Sequence, residues 1–367
     1  MLSDSKFGFG LMRLPKDAEN NIDIDQVKAM VDGFMASGFN YFDTAYVYNG
    51  SEEAMKAALV DRYPRESYTI ANKIHKMALK TKEQVAEVFN ESLRRCGVDY
   101  FDFYLIHAIN RKLYGEYQEF GCFEYCQKQK EAGKIRYLGF SFHDDADLLD
   151  QVLTEHPEID FVQLQLNYLD WDSGVIQARK NYEVARRHNK PIVVMEPIKG
   201  GNLAVLPDHI EKIFKDYNPD ASMASWALRY VGSLEGVMTI LSGMSTPGQM
   251  ADNLATMKDF QPINSQEASL IAKITKEYLA LKTIDCTACR YCVAGCPKNI
   301  LIPDLFAAYN DQMAYGKTSR PKTFYLEHTG EGHGLASECI ACGKCEHVCP
   351  QHLPIIDLLK KVAATFE

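Results

Sequence analysis

The feature that most constrains this 367-residue chain is a cysteine pattern that occurs twice near its C-terminal end. The first copy begins at Cys286 and reads C-T-A-C-R-Y-C-V-A-G-C-P, and the second begins at Cys339 and reads C-I-A-C-G-K-C-E-H-V-C-P. Both copies have the spacing C-x2-C-x2-C-x3-C-P. Three thiols this close in sequence can surround one metal centre, whereas the fourth lies too far round to join them. The pattern therefore predicts a unit with two metal centres.

This spacing is the ligand run of bacterial-type [4Fe–4S] ferredoxins, in which the fourth cysteine ligates the other cluster. We therefore expect two [4Fe–4S] clusters. Zinc also binds C-x2-C pairs, but usually as two separated pairs and without this run occurring twice. Disulfides would suit a secreted chain, and the N-terminal sequence does not resemble a signal peptide. The predicted ligands are Cys286, Cys289, Cys292 and Cys349 for the first cluster, and Cys339, Cys342, Cys345 and Cys296 for the second.

The chain also repeats itself after each Cys-Pro pair. The two copies read C-P-K-N-I-L-I-P-D-L-F and C-P-Q-H-L-P-I-I-D-L-L, and both continue with apolar residues at helical spacing. The 42 residues between Cys296 and Cys339 exceed the spacer of a compact small ferredoxin. This part of the chain therefore resembles the α-helical type of ferredoxin, with one helix behind each cluster. The segment 318–334, rich in Gly, Lys and Thr, is expected to be an exposed loop.

Composition excludes several classes of protein. Hydrophobic residues make up 46% of the chain and charged residues 24%, as in soluble globular proteins. The net charge of −9 predicts no binding to nucleic acid or to an anionic membrane. The chain contains no run of about 18 apolar residues, so no membrane helix is expected. Eleven cysteines in such a chain indicate a reducing compartment, so we expect a cytoplasmic protein. Cys96, Cys122 and Cys126 are expected to be ordinary thiols.

From residue 1 to about 260, short apolar runs alternate with amphipathic helical stretches. This β–α alternation occurs eight times, and several of the strands are apolar along their whole length. The count predicts a (β/α)8 TIM barrel at residues 1–264, followed by a small, mostly α-helical two-cluster ferredoxin-like domain at residues 265–367. A doubly wound sheet is the alternative, but no G-x-G-x-x-G follows an early strand.

In such a barrel the active site lies at the C-terminal ends of the strands. The second strand ends in Y-F-D-T-A-Y-V-Y-N-G-S-E, the third in T-I-A-N-K-I and the fourth in F-Y-L-I-H. These ends place Asp43, Tyr48, Lys73 and His107 at one rim. Each residue alone has a structural interpretation, as an ion pair, a core histidine or a packing tyrosine. Four of them at the ends of three consecutive strands favour a catalytic role.

These residue types suit the reduction of a carbonyl group. The new alkoxide needs a proton, and Tyr48 can supply it if a nearby ammonium lowers the phenol pKa. Lys73 can be that ammonium, and Asp43 can hold it charged and oriented. His107 can bind the substrate oxygen.

The strand ends also resemble those of the aldo-keto reductases, which share F-D-T-A-x-x-Y-G-x-S-E, the A-x-K strand end and the strand ending in His. The resemblance covers about residues 5–260 and implies the complete catalytic tetrad of that family. It also implies a nicotinamide cofactor, NAD(H) or NADP(H). The residues expected to contact this cofactor are Ser141, Gln163, Met195, Gly243, Gln249 and Asn253.

Three of those positions depart from the family's pattern. Met195 replaces a stacking aromatic ring, and Gly243 and Gln249 replace the Lys and Arg that bind the 2′-phosphate of NADP. NAD thus becomes plausible. Ala108 after the catalytic His indicates a wide mouth, which aromatic residues of the following loop and Trp171 are candidates to line. Those loop residues are Tyr114, Tyr117 and Phe120.

The sequence therefore predicts an NAD(P)H-dependent oxidoreductase that reduces an aldehyde or ketone and carries [4Fe–4S] clusters for electron transfer. A small-molecule carbonyl substrate is expected, and a redox partner protein is possible. The alternative is an electron-transfer or partner-docking iron–sulfur subunit, in which the barrel is regulatory or only senses the cofactor. Nicotinamide moves two electrons together, whereas each cluster moves one. The sequence therefore does not indicate how electrons would pass between the two halves.

Overall fold

The computed structural model describes residues 2–316, 319–330 and 332–367. Within these residues the strands form one closed barrel of eight parallel strands in chain order, with the eighth paired to the first. The (β/α)8 prediction is thus confirmed. The strands are β1 (Phe7–Gly10), β2 (Tyr41–Asp43), β3 (Thr69–Ile74), β4 (Phe101–Ile109), β5 (Ile135–Phe142), β6 (Phe161–Gln165), β7 (Ile192–Met195) and β8 (Val237–Ser242).

Helices connect these strands. The helices of the barrel region are α1 (Ile24–Ala36), α2 (Ser51–Met55), α3 (Gln84–Cys96), α4 (Arg111–Glu119), α5 (Cys122–Glu131), α6 (Ala146–Glu155), α7 (Ala178–Arg187), α8 (Asp208–Tyr217), α9 (Met223–Gly232) and α10 (Pro247–Lys258). A π-helical turn at Lys56–Val60 continues α2. The structure corrects one expectation here, because residues 111–119, which carry Tyr114 and Tyr117, form a helix and not a loop.

The barrel interior is filled by large side chains and is not a pore. Tyr41, Phe103, Phe161 and Val193 are fully buried in it. Such packing leaves no room for a side chain at Gly139, where a Cβ would lie 2.6 Å from the Phe161 ring. Filling the interior this way forces any chemistry to the rim at the strand ends.

The chain divides into two compact units. One comprises residues 1–197 and 224–263, and contains the barrel strands. The other comprises residues 198–223 and 264–367, so the segment after β7 groups with the cysteine-rich part of the chain. No helix among the described residues has the length and apolar character needed to cross a membrane.

The second unit is mostly helical, as predicted. Besides α8 it contains α11 (Ser265–Leu279), α12 (Ile302–Tyr315), α13 (Ser319–Glu327), α14 (Lys344–His347) and α15 (Ile355–Phe366). The helix α13 corrects the loop expected at 318–334, because its Tyr325 is fully buried and stacks on Phe366. Thr318 and Glu331 of that expected loop lie outside the described residues.

The duplication seen in the sequence extends to the backbone. Helices α12 and α15 begin at equivalent positions, Ile302 and Ile355, and both isoleucines are buried. Left-handed backbone also recurs at equivalent positions 53 residues apart. The pairs, with their φ angles, are Ala288 (52°) and Ala341 (55°), Arg290 (65°) and Gly343 (74°), and Asn299 (51°) and His352 (51°).

Candidate active site and cluster sites

The barrel rim contains a buried ion pair. The ammonium of Lys73, from β3, lies 2.5 Å from Asp43 Oδ1 at the end of β2, and it also donates to the Thr44 carbonyl at 2.8 Å. Asp43 pairs in register with Ala71 of the adjacent parallel strand, and Lys73 lies two residues further along that strand on the same face. Lys73 is fully buried and Asp43 is 3% exposed. A buried lysine held this way is fixed in one orientation.

Two further predicted residues lie around this pair. The ammonium of Lys73 lies 5.2 Å from the centre of the Tyr48 ring. The Tyr48 and His107 rings meet edge to face, with centroids 5.7 Å apart. Tyr48 is half-buried while His107 is buried. The structure therefore brings all four predicted catalytic residues together at one end of the barrel.

Burial dominates the ionisation of this group. Loss of water lowers the pKa of Lys73 and raises that of Asp43, and in each case the partner's charge opposes the shift. The pKa of His107 is lowered well below its usual value by burial first, then by the neighbouring His75 and Lys73. His107 is therefore a neutral imidazole at physiological pH.

His75 is a residue of this site that the sequence did not single out. Its ring lies edge-on to His107, with centroids 5.0 Å apart. Its Nδ1 accepts a hydrogen bond from the Met77 backbone N–H at 3.0 Å, so Nε2 carries the proton. Burial lowers the pKa of His75 to about 4. In the sequence, only its position two residues after Lys73, just beyond the end of the strand, could have indicated that His75 lies at the site.

The residues expected to bind the nicotinamide lie on neighbouring strands. Ser141 and Gln163 pair in register between β5 and β6, and both are buried. Ser141 Oγ accepts from the Ala108 N–H at 2.7 Å and keeps its own proton to donate. Gln163 Nε2 lies 3.5 Å from Met195 Sδ. Within the described part of the chain, the buried Gln163 Oε1 has no hydrogen-bond partner, which suits an amide N–H of a bound carboxamide.

The segment after β8 begins α10 with a conventional cap. Thr246 Oγ1 accepts from the Gln249 N–H, and Gln249 Oε1 accepts from the Ser245 N–H at 2.8 Å. Asn253 is buried and donates to Ser242 Oγ at 3.0 Å. Such a helix N-terminus favours bound phosphate. At Gly243 a Cβ would lie 3.8 Å from the Cβ and Cδ of Arg13, a cation that comes from the other end of the barrel sequence.

The aromatic residues after β4 differ in their surroundings. Tyr117 is fully buried, donates to the His107 carbonyl at 2.6 Å and accepts from the Lys76 N–H at 3.0 Å. It therefore fixes the backbone of His107, the histidine predicted to be catalytic. The hydroxyl of Tyr114, also buried, donates to Glu155. Trp171 packs against Tyr182 and Tyr230.

In the second unit, the four cysteines predicted for the first cluster line one cavity. Its walls include Cys286, Cys289, Cys292, Cys349 and Arg290. Burial, together with the three neighbouring cysteines, raises the pKa of Cys292 to about 12. Four soft sulfur donors around one space fit an iron–sulfur cluster, whose iron would hold them as thiolates.

The second predicted set lies in the same apolar core. Cys345 is buried in it, and Cys296 and Cys339 pack against it. Cys342 is exposed. Burial raises the pKa of Cys345 to about 11. None of the eight cysteines forms a disulfide within the described residues.

The backbone around these cysteines is shaped to point N–H groups at sulfur. Left-handed residues at Ala288 and Arg290 lie between the first three cysteines. The Ala288 N–H donates to Cys286 Sγ at 3.4 Å. Alternating backbone conformations of this kind form concave N–H nests, which are common at iron–sulfur sites.

The segment after β7 contacts the start of the first motif inside the second unit. Lys199 is 1% exposed and its ammonium lies 3.5 Å from Asp285 Oδ1. Asn202 Nδ2 donates to the Cys286 carbonyl at 3.1 Å. Gly200 has a φ of 66°, and a Cβ there would lie 2.3 Å from the Thr287 carbonyl oxygen. Only glycine fits this contact without a shift.

Comparison with known proteins agrees with both halves. Residues 6–276 match the model of the aldo/keto reductase family, and residues 285–353 match that of a 4Fe-4S dicluster domain. The chain belongs to the aldo/keto reductase family. It is therefore an oxidoreductase of the aldo-keto reductase type, with a 4Fe-4S domain near its C-terminal end.

Individual relatives are distant. An aldo-keto reductase of Mycobacterium avium is 28% identical over 63% of this chain and 75% of its own length. The NADH-specific methylglyoxal reductase of Escherichia coli is 24% identical over 69% of this chain and 90% of its own. An aldo-keto reductase from Klebsiella pneumoniae, solved with NADPH, has a TM-score of 0.60 at 20% identity, covering 74% of this chain and 90% of that one. This structural likeness shows the fold.

Proposed function

We propose that the barrel reduces the carbonyl group of a small aldehyde or ketone, with Tyr48, Lys73, Asp43 and His107 as the catalytic residues. The observation that carries this proposal is the buried Lys73–Asp43 pair beside Tyr48, with neutral His107 meeting the same tyrosine edge to face. Keeping a lysine fully buried costs stability, and sites that shift pKa values this way are commonly functional.

The residues divide the work by their chemistry. A bound nicotinamide supplies a hydride to the carbonyl carbon. Tyr48 donates its phenolic proton to the carbonyl oxygen, and the nearby Lys73 ammonium stabilises the phenolate that remains. Asp43 and the Thr44 carbonyl hold Lys73 in place. His107, which is neutral, donates an N–H to the same carbonyl oxygen and orients it.

For the cofactor, we propose that Ser141 and Gln163 bind the carboxamide of the nicotinamide, and that Met195 packs near its ring. Gly243, Gln249 and Asn253 would form the adenosine end, at the N-terminus of α10. The Escherichia coli relative is NADH-specific and the Klebsiella one binds NADPH, so both cofactors occur among similar proteins. Residues 243 and 249 carry no cation for the 2′-phosphate of NADP, and Arg13 beside Gly243 would supply one.

We further propose that residues 1–264 and 265–367 act as two functional units, a reductase and a two-cluster electron carrier. The eight cysteines would ligate two [4Fe–4S] clusters with the fourth cysteine of each motif crossing over. Each cluster moves one electron, so a redox partner protein suits it better than direct exchange with a hydride donor. Exposed Cys342 offers an edge for that exchange. Cysteines that stay reduced as metal ligands are typical of a reducing compartment, so we propose a cytoplasmic location.

The test is anaerobic purification followed by iron and sulfide analysis, EPR, and NADH and NADPH oxidation against a panel of aldehydes and ketones. We expect roughly eight irons per chain, from two four-iron clusters, and carbonyl-dependent oxidation of a nicotinamide. Bound zinc without iron would refute the cluster assignment. Intact clusters with no turnover on any carbonyl would instead favour the electron-transfer subunit with a sensing barrel.

A further inference from the structure

The two cysteine motifs are copies of one another, but the charges beside them differ. Arg290 follows Cys289 in the first motif, whereas Gly343 stands at the equivalent left-handed position of the second. Arg290 lines the cavity shared by Cys286, Cys289, Cys292 and Cys349. The first cluster site thus has a guanidinium in its wall. At the equivalent position of the second motif, Gly343 has no side chain.

The position of Arg290 is fixed by a two-pronged ion pair. Its Nη1 donates to Asp304 Oδ1 on α12 at 2.9 Å and its Nη2 lies 2.9 Å from Oδ2, while 50% of the Arg290 side chain is exposed. A guanidinium held in this fork keeps its orientation better than a single-contact ammonium. The equivalent acid of the second copy, Asp357, pairs with Lys360 one turn along α15, and both side chains are mostly exposed. Lys360 also interacts with Cys339, but its pair with Asp357 is more exposed than the pair of Arg290 with Asp304 and is therefore screened more strongly by solvent.

The second motif has a fixed charge of the opposite sign. Glu346 directly follows Cys345, whereas the equivalent residue of the first motif is Val293. Glu346 Oε1 accepts a hydrogen bond from the Ile356 N–H at 2.9 Å, at the start of α15. The carboxylate is thereby anchored next to a ligand of the second cluster. Lys344 also neighbours Cys345 and is exposed, as Arg290 is, but among the described residues no acidic partner holds its side chain as Asp304 holds that of Arg290.

We propose that Arg290 and Glu346 set the two clusters at different reduction potentials, with the first cluster the better electron acceptor. Adding an electron makes a cluster more negative, so a nearby guanidinium favours reduction and a nearby carboxylate opposes it. Solvent at exposed Cys342 acts in the other direction on the second cluster. It is uncharged and diffuse, whereas the two side chains are charged and anchored. An electron entering the unit therefore settles on the first cluster.

This inference rests on the proposed clusters, so the experiment measures them first. The full chain, purified anaerobically with its iron counted, is titrated with dithionite and followed by EPR. Each cluster takes up one electron. Arg290→Gln is expected to shift one midpoint potential to a more negative value, and Glu346→Gln, which can still accept the Ile356 bond, to shift the other to a more positive value. The gap between the midpoints narrows in both variants.

Three further variants sharpen the result. Gly343→Arg introduces the missing cation beside Asp357 and is expected to raise the same midpoint as Glu346→Gln. Arg290→Lys keeps the charge and should retain most of the wild-type potential. Arg94→Gln, which removes an exposed arginine paired with Glu91 in the barrel, should move neither midpoint. The proposal is overturned if Arg290→Gln and Glu346→Gln act on the same midpoint, leave both unchanged or widen the gap. A wild-type chain without iron overturns the proposed function instead.

Discussion

The barrel site and the cluster sites are built in opposite ways. In the barrel, the polypeptide alone supplies both members of the buried pair, so Lys73 and Asp43 satisfy one another. In the second unit, Cys292 and Cys345 belong to the apolar core, and their thiols are shifted away from the thiolate form that a metal needs. The first site is organised before its cofactor binds. We expect bound clusters to stabilise the second, as metals stabilise other small metal-binding domains.

The two tryptophans allow this difference to be measured. Trp171 and Trp226 both lie in the barrel unit, and the chain has no others. Tryptophan fluorescence therefore reports unfolding of the barrel, while EPR and iron content report the cluster unit. If the barrel is organised without the clusters, removing the clusters should abolish the EPR signals and leave the unfolding transition seen by tryptophan fluorescence nearly unchanged.

The largest effect is expected from Cys292→Ala. Loss of this buried ligand should abolish the first cluster, leaving roughly four irons per chain, and remove one EPR signal. In the proposed crossed assignment Cys349 ligates the first cluster, so Cys349→Ala should remove the same signal, and Cys345→Ala the other. Iron analysis and EPR measure this, with barrel thiol variant Cys126→Ala as the control. Loss of different signals in the Cys292 and Cys349 variants would contradict the crossed assignment.

The next effect concerns the barrel alone. Tyr48→Phe removes the proposed acid and should lower carbonyl reduction by about 10²–10⁴-fold, the usual contribution of a positioned proton donor. The EPR signals should be unchanged. Tyr46→Phe is the matched control, because its hydroxyl lies 3.5 Å from Arg95, away from the Lys73 pair. Equal turnover in the Tyr48 variant and the wild type would rule out Tyr48 as the acid.

A smaller effect is expected on the stability of the barrel when the pH is lowered. Because burial lowers the pKa of His75 to about 4, the unfolded chain binds more protons than the folded one between pH 4 and 6.5. Barrel stability should therefore be full above pH 6.5 and fall as the pH is lowered, by about 3 kcal/mol from His75 on reaching pH 4. Denaturant titration by tryptophan fluorescence at pH 7 and pH 5 measures the loss.

The matched variant for this effect is His75→Gln, which keeps an acceptor for the Met77 N–H but does not titrate. It should flatten the pH dependence in part, since His107, whose pKa is also lowered, continues to contribute. His188→Gln changes a half-buried histidine elsewhere in the barrel and serves as the control. An unchanged slope in the His75 variant would show that His75 is not the titrating group.

The sequence predicted the barrel and its rim because alternating apolar runs and strand ends are local signals. The meeting of Asp43, Tyr48, Lys73 and His107 at one rim was predicted from the positions of three strand ends. The helix α4 was missed, because its polar exterior hides the buried Tyr117. The helix α13 was missed for a related reason: its composition resembles a loop, and its helical state depends on Tyr325 packing in the core.

Contacts between residues far apart in the chain were beyond sequence reasoning. Lys199 precedes Asp285 by more than eighty positions, and no local pattern connects them. Arg290 was inside a recognised motif, yet its importance depends on the fork with Asp304, which only the start of α12 reveals. The cysteine spacing predicted the set of cysteines that lines one cavity, whereas the charges that distinguish the two motifs were visible only in the fold.

The smallest expected effect concerns the cofactor site of the barrel, where a residue far away in the sequence is proposed to supply a missing cation. Arg13 lies beside Gly243, where the family's usual cation is missing. Arg13→Ala should raise the KM for NADPH by about tenfold, the value of one charge-assisted contact, and change that for NADH little. Steady-state kinetics with both cofactors measure this, with Arg62→Ala, which removes an exposed arginine paired with Asp32, as the control. Equal changes for the two cofactors would mean that Arg13 contacts a shared part of the nucleotide and not the 2′-phosphate.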